Sequence, residues 1–208
     1  MSRSTKDGEM LIPAALGSRV VEISGQTQDP IYLTSPDGYN KLANALLKSN
    51  GEAIALVHPF YPHNEEDSVR YSDETKKEYT LYLDRLYKSL ENYGKLNLPV
   101  ILFEENDMLT NQNATHLNIN LIPRNLFVIP TIKNGSIPYD QSLSKFAHLL
   151  KTKGLKRVIA VGTYLWTGGF IGCIGELIEE FSQAGIPTTP GEAAFPRKDM
   201  HSMYRRLE

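Results

Sequence analysis

The sequence predicts a three-layer α/β/α sandwich around a mostly parallel sheet of about five or six strands, and three observations predict it. Short, wholly apolar runs such as Ile54-Ala55-Leu56-Val57 lack the alternation of a half-exposed strand and suit one covered by helices on both faces. Such runs alternate along the chain with segments of roughly ten to twenty residues whose apolar positions recur at helical spacing. The chain has 208 residues, 41% of them hydrophobic and 22% charged, which suits a single core. Parallel pairing then needs a helical crossover between strands, and right-handed crossovers put helices on both faces.

In chain order, residues 1–34 read as an N-terminal extension packed on the domain, with short apolar runs (Leu11-Ile12, Val20-Val21-Glu22-Ile23) broken by Gly and Pro. Residues 35–208 read as one α/β domain, because no repeat, low-complexity tract or Pro/Ser-rich linker divides them. Ser35-Pro36, a cap followed by a proline, opens a helix to Ser49 with Leu42, Ala45 and Leu46 at i, i+3 and i+4. Ile54–Val57 is the first core strand. A polar loop then leads to a long helix over residues 73–93, with Tyr79, Leu83, Leu86, Leu90 and Tyr93 on one stripe and Gly94 placed to stop it. Pro99–Phe103 is the second strand, and residues 106–125 form a loop with at most one short element. Leu126–Ile129 is the third strand. A helix from Asp140 to Lys153 follows, with Leu143, Phe146, Ala147 and Leu150 as its stripe and Gly154 after it. Arg157–Gly162 is the clearest strand. A helix over residues 171–184 buries Ile174, Leu177, Ile178 and Phe181, and Ile186 begins a further strand.

The balance of charge narrows the partners. Lys and Arg (22) nearly match Asp and Glu (24), so no cationic excess of the kind that holds a phosphate backbone is present, and nucleic acid is not expected. With no apolar run of about 18 residues and no basic-then-apolar start, a membrane span and a secretory signal are not expected either. A soluble cytoplasmic protein is the expectation. The single cysteine, Cys173, permits neither an intramolecular disulfide nor an all-thiolate zinc site.

In open parallel sheets the ligand crevice lies beyond the carboxyl ends of the strands, so the segments after each strand are the ones to inspect. In Gly162–Glu176, glycines at 168, 169, 172 and 175 let backbone amides approach a ligand, and the helix that follows aims its free N–H groups into the same space. Cys173 falls in the first turn of that helix, where the dipole favours the thiolate; it reads as a nucleophile or as a small side chain filling space beside glycines. Glu176, one turn on, can orient a substrate or take a proton, whereas Glu179 and Glu180 read as ordinary helix acids. Lys133, after the third strand, can hold the thiolate or a substrate carboxylate by charge, or stand solvated in its loop. His58 closes the first strand and is either a general base for Cys173 or a ring hydrogen-bonded to a strand-end carbonyl. Trp166, Tyr164, Phe60 and Tyr61 can stack on a flat substrate or cap the core. No helical His spacing supports a metal site built from His58, His63, Glu104, Glu105 and Asp107, so neither metal nor cofactor is expected.

The order of these elements resembles the isochorismatase-like cysteine hydrolases. The resemblance runs from about Glu52 to the C-terminus through Leu56-Val57-His58-Pro59-Phe60, Leu98-Pro99-Val100-Ile101, Thr131-Ile132-Lys133, the strand at 154–162, Gly172-Cys173-Ile174 and the tail at 201–207. It implies a small-molecule hydrolase with Cys173 as nucleophile and Lys133 beside it. His58 stands where the family has an aspartate base, so His58, Glu104 or Glu105 must take that part, or the chain binds a ligand without turnover. A second resemblance is carried by Gly168-Gly169-Phe170-Ile171-Gly172-Cys173-Ile174-Gly175-Glu176, which is similar to the glycine-rich loop of nucleotide phosphoribohydrolases and deoxyribosyltransferases and implies that Glu176 acts at a sugar. A non-catalytic binding or assembly protein is the third reading. By analogy with proteins of this architecture, a homodimer or larger homo-oligomer is expected.

Overall fold

The structure, a computed structural model, describes residues 31–59, 73–105, 126–131, 142–165 and 173–196. Helix α1 (Pro36–Lys48) begins where the sequence says it must: the Ser35 hydroxyl accepts the Gly38 N–H at 3.2 Å and Pro36 occupies the first helical position. It buries Leu42, Ala45 and Leu46, and the chain reverses through Asn50 and Gly51, both at positive φ. A β-carbon at Gly38 would collide with the Tyr32 carbonyl oxygen, so the helix lies close on the short strand β1 (Ile31–Tyr32). Strand β2 (Glu52–Val57) leads to α2 (Asp73–Lys95), and β3 (Val100–Glu105) and β4 (Leu126–Thr131) follow. Helix α3 (Leu143–Thr152) is capped by the Ser142 hydroxyl, which accepts the Lys145 N–H at 3.3 Å. Then come β5 (Arg157–Leu165), α4 (Cys173–Gln183) and β6 (Thr188–Pro196).

The strands form one six-stranded sheet in the order β1-β4-β3-β2-β5-β6, parallel at every pairing. A three-layer α/β sandwich is therefore the fold. Alternation along β2 sends Ala53, Ala55 and Val57 to one apolar cluster and Ile54 and Leu56 to another. The first cluster takes the stripes of α1, α3 and α4; the second takes Tyr82, Leu86 and Leu90 of α2. That segregation follows from handedness: the crossovers β1-α1-β2, β4-α3-β5 and β5-α4-β6 all run one way across the sheet, while β2-α2-β3 runs the other. Edge-to-face contacts of Phe103 with Phe146 (6.0 Å) and Phe181 (6.5 Å) join β3 to α3 and α4.

Several boundaries differ from expectation. Ile31 and Tyr32, inside the segment read as an extension, are an edge strand of the sheet itself, with Ile31 opposite Phe127 and Tyr32 opposite Val128. In α2 the buried stripe includes Tyr82, while the side chains of Tyr79 and Leu83 lie outside the described set. Gly94 does not stop that helix, which runs on to Lys95 before Asn97 turns the chain at a φ of 55°. Glu104 and Glu105 prolong β3 rather than end it, and β5 continues past Gly162 to Leu165. The helix expected from Asp140 begins instead at Leu143, because Ser142 is extended and caps it; the expected start at Ile171 and residues 106–125 lie outside the described residues. No helix among the described residues is long and apolar enough to cross a membrane.

Candidate site at the carboxyl edge of the sheet

The strand order reverses direction between β2 and β5. From β2 the chain moves through α2 to β3 on one side; from β5 it moves through α4 to β6 on the other. A sheet wound in this way leaves its crevice beyond the carboxyl ends of those two strands. Gly162 is paired with Val57 there, at a φ of 127°, and a β-carbon on it would collide with the Val57 carbonyl oxygen. The glycine is required for this approach of backbone to backbone. The β5–β6 ladder shifts register on either side of the same point, between Ala160 and Gly162 and again between Thr163 and Leu165.

His58 follows β2 directly. Its N–H donates to the Phe103 carbonyl at 2.8 Å, adding one bond to the β2–β3 ladder, and its φ of 40° then turns the chain out of the sheet. A side chain in that left-handed region carries strain of about 1–3 kcal/mol, which surrounding bonds must hold in place. The ring is 2% exposed, and its Nε2 shares a hydrogen bond of 3.1 Å with the hydroxyl of Thr131, itself 1% exposed. Burial lowers the imidazole pKa from 6.5 to about 4, so the ring is neutral at neutral pH. The Tyr82 hydroxyl of α2 donates a long bond of 3.5 Å to the Pro59 carbonyl, anchoring the next residue of the chain.

Cys173 is the first residue of α4, half-buried, and packs beside the cluster formed with α1 and α3. Glu176 lies in the first turn of the same helix and is exposed. The two share an edge of the molecule with His58, since α4 starts where β5 has ended. Lys133, Gly168, Gly169, Gly172, Trp166 and Phe60 lie outside the described residues, as do the side chains of Glu104, Glu105 and Tyr164. Among the described residues no group of three or more His, Cys, Asp and Glu side chains is arranged to hold a metal ion.

Thr131 is the residue that the sequence argument passed over. It ends an apolar strand as an ordinary threonine, and its meeting with His58 becomes visible only once β4, β3 and β2 are known to be neighbours. The His58 ring shares a hydrogen bond with a strand-end hydroxyl, that of Thr131. No protein-family model matches the chain, and no solved structure matches it.

Proposed function

We propose that the protein binds a small carbonyl compound at the carboxyl edge of its sheet and hydrolyses it through Cys173, in the manner of the isochorismatase-like cysteine hydrolases. The observation that supports this most is the seat of Cys173, half-exposed as the first residue of α4, on the edge where the strand order reverses. Unbonded N–H groups and the positive dipole end at a helix start favour a thiolate over a thiol. In the proposed reaction the thiolate attacks the carbonyl carbon and the carbonyl π electrons move onto oxygen. Collapse of the intermediate breaks the carbon–nitrogen bond and expels the amine, which takes the proton that the thiol gave up; water then adds to the thioester, its oxygen entering the released acid and one of its protons returning to the sulfur. Lys133 supports the thiolate by charge, the glycines at 168, 169 and 172 offer amides to the oxyanion, and Trp166, Phe60 and Glu176 orient the substrate.

Because Cys173 is the sole cysteine, its alkylation by iodoacetamide can be followed without interference. The rate should rise with a midpoint roughly one unit or more below the ordinary thiol value of about 8.5, and a midpoint at 8.5 sinks the nucleophile. A second reading, ligand binding without turnover, is favoured by one feature. Where the family carries a carboxylate, this chain has a buried imidazole kept neutral by burial and bonded to Thr131. An ordinary thiol at Cys173 would leave that reading standing.

A further inference from the structure

We propose that the amino edge of the sheet, opposite the candidate site, is a docking surface for an anionic lipid bilayer, on which its cations meet the headgroups while Leu47 and Leu96 enter the boundary with the acyl chains. The proposal does not depend on the hydrolase reading. Because all strands are parallel, every described helix ends at the amino edge, and the turns that lead back into the sheet lie there together. Four such turns are described, 47–52, 95–99, 151–157 and 183–188. They carry six cations, Lys48, Lys95, Lys151, Lys153, Lys156 and Arg157, against one acid, Glu52. A chain whose net charge is −2 thus has one strongly positive end.

Cations at helix ends ordinarily answer the negative end of the dipole, which accounts for Lys48, Lys95 and Lys151 in the last turns of α1, α2 and α3. It leaves Lys153, Lys156 and Arg157, beyond the end of α3, unexplained. Neutralisation at this edge is slight. Arg157 meets Glu52 at 3.6 Å and Lys95 meets Glu91 at 3.0 Å, both as exposed pairs, which hold their partners weakly. Lys156 Nζ donates to the Asn50 side-chain carbonyl at 3.3 Å and Lys151 Nζ to the Ala184 carbonyl at 2.8 Å, bonds that leave the charge in place. Charge does not account for the leucines. Among the described residues three large aliphatic side chains are exposed, and two of them, Leu47 at 82% and Leu96 at 67%, adjoin Lys48 and Lys95. One follows the helix packed on the first cluster and the other the helix packed on the second, so an isolated leucine stands on each side of a cationic edge. A bilayer fits that arrangement, because it needs neither a groove nor a fixed register of partner side chains and takes up both lysines and leucines. Contact of this kind lies along the surface, requires no membrane-spanning helix and leaves the carboxyl edge turned to solution.

Co-sedimentation with phosphatidylcholine vesicles, with and without phosphatidylserine, tests this. The protein should pellet with the mixed vesicles, stay in solution with phosphatidylcholine alone, and be released by high salt. Lys48→Gln with Lys156→Gln should weaken binding by roughly tenfold or more. Lys41→Gln with Lys145→Gln removes the same charge from the opening turns of α1 and α3 and should weaken it by less than about twofold, since those positions lie away from the edge and are screened. Leu47→Ala with Leu96→Ala should weaken it by roughly fivefold. All six positions are exposed, so the variants should melt as the wild type does. Absence of binding to the mixed vesicles overturns the proposal, as do equal losses in the two lysine pairs or unchanged binding in the leucine pair. Binding to polyglutamate or to an oligonucleotide without binding to vesicles identifies another partner and overturns it as well.

Discussion

His58 makes the strongest residue-level prediction because its electrostatics have a sign. Above pH 6.5 the ring is neutral in both the folded and the unfolded chain, and it contributes nothing to pH dependence. Below that value the unfolded chain takes up a proton that the folded chain, with its pKa at about 4, refuses. Stability should therefore fall as the pH drops from 6.5 to about 4, by about 3 kcal/mol at 1.36 kcal/mol per unit. Urea denaturation of the wild type and of His58→Gln across that range checks it, since the difference between their slopes isolates the ring. At this scale the sequence was half legible. It marked His58 as a residue of the carboxyl edge, but its hydroxyl partner is 73 positions away and two strands over, and neither distance is encoded locally. The lone cysteine was legible as a helix-start residue because Gly172-Cys173-Ile174 opens a stripe that Leu177 and Phe181 continue.

Elements were legible wherever one face of a helix had a single reading. The stripes of α1, α3 and α4 were each set by three or four aliphatic or phenylalanine side chains; all are buried except Leu143 and Ile178, which are partly buried against the same cluster. Helix α2 was harder because tyrosines recur around it, and a tyrosine can lie inside or outside according to whether its hydroxyl finds a partner. Tyr82 finds the Pro59 carbonyl and is fully buried, while the adjacent Leu81 is 52% exposed. Leu86, on the same stripe and with no exposure, should cost about 2–5 kcal/mol when changed to Ala, measured by chemical denaturation. An effect below about 1 kcal/mol would mean that α2 packs in another register. Strand ends were misjudged for a related reason: an apolar run stops at its first polar side chain, but ladder bonds belong to the backbone and carry β3 through Glu105 and β5 through Leu165. The two-residue β1 has no pattern to read.

For the whole molecule, parallel pairing and helices on both faces followed from alternation of runs and stripes, whereas strand order did not, since every order with right-handed crossovers shows the same pattern. The observed order sets a gradient of protection. β2 lies between β3 and β5, and β3 between β2 and β4, while β1 contributes a two-residue margin. In native-state hydrogen exchange the amides of Ile54, Leu56 and Leu102 should be the last to exchange and those of Ile31 and Tyr32 among the first. Equal protection at β1 and β2 would contradict this order. Gly162 has one more consequence. It faces Val57 at the seam between the two halves of the sheet, with no room for even a methyl group. That seam is paved by peptide units alone, so divergence there by swapping one side chain for another is closed off. Whatever distinguishes one descendant of this scaffold from another has to be inscribed in the segments that rise beyond the strand tips.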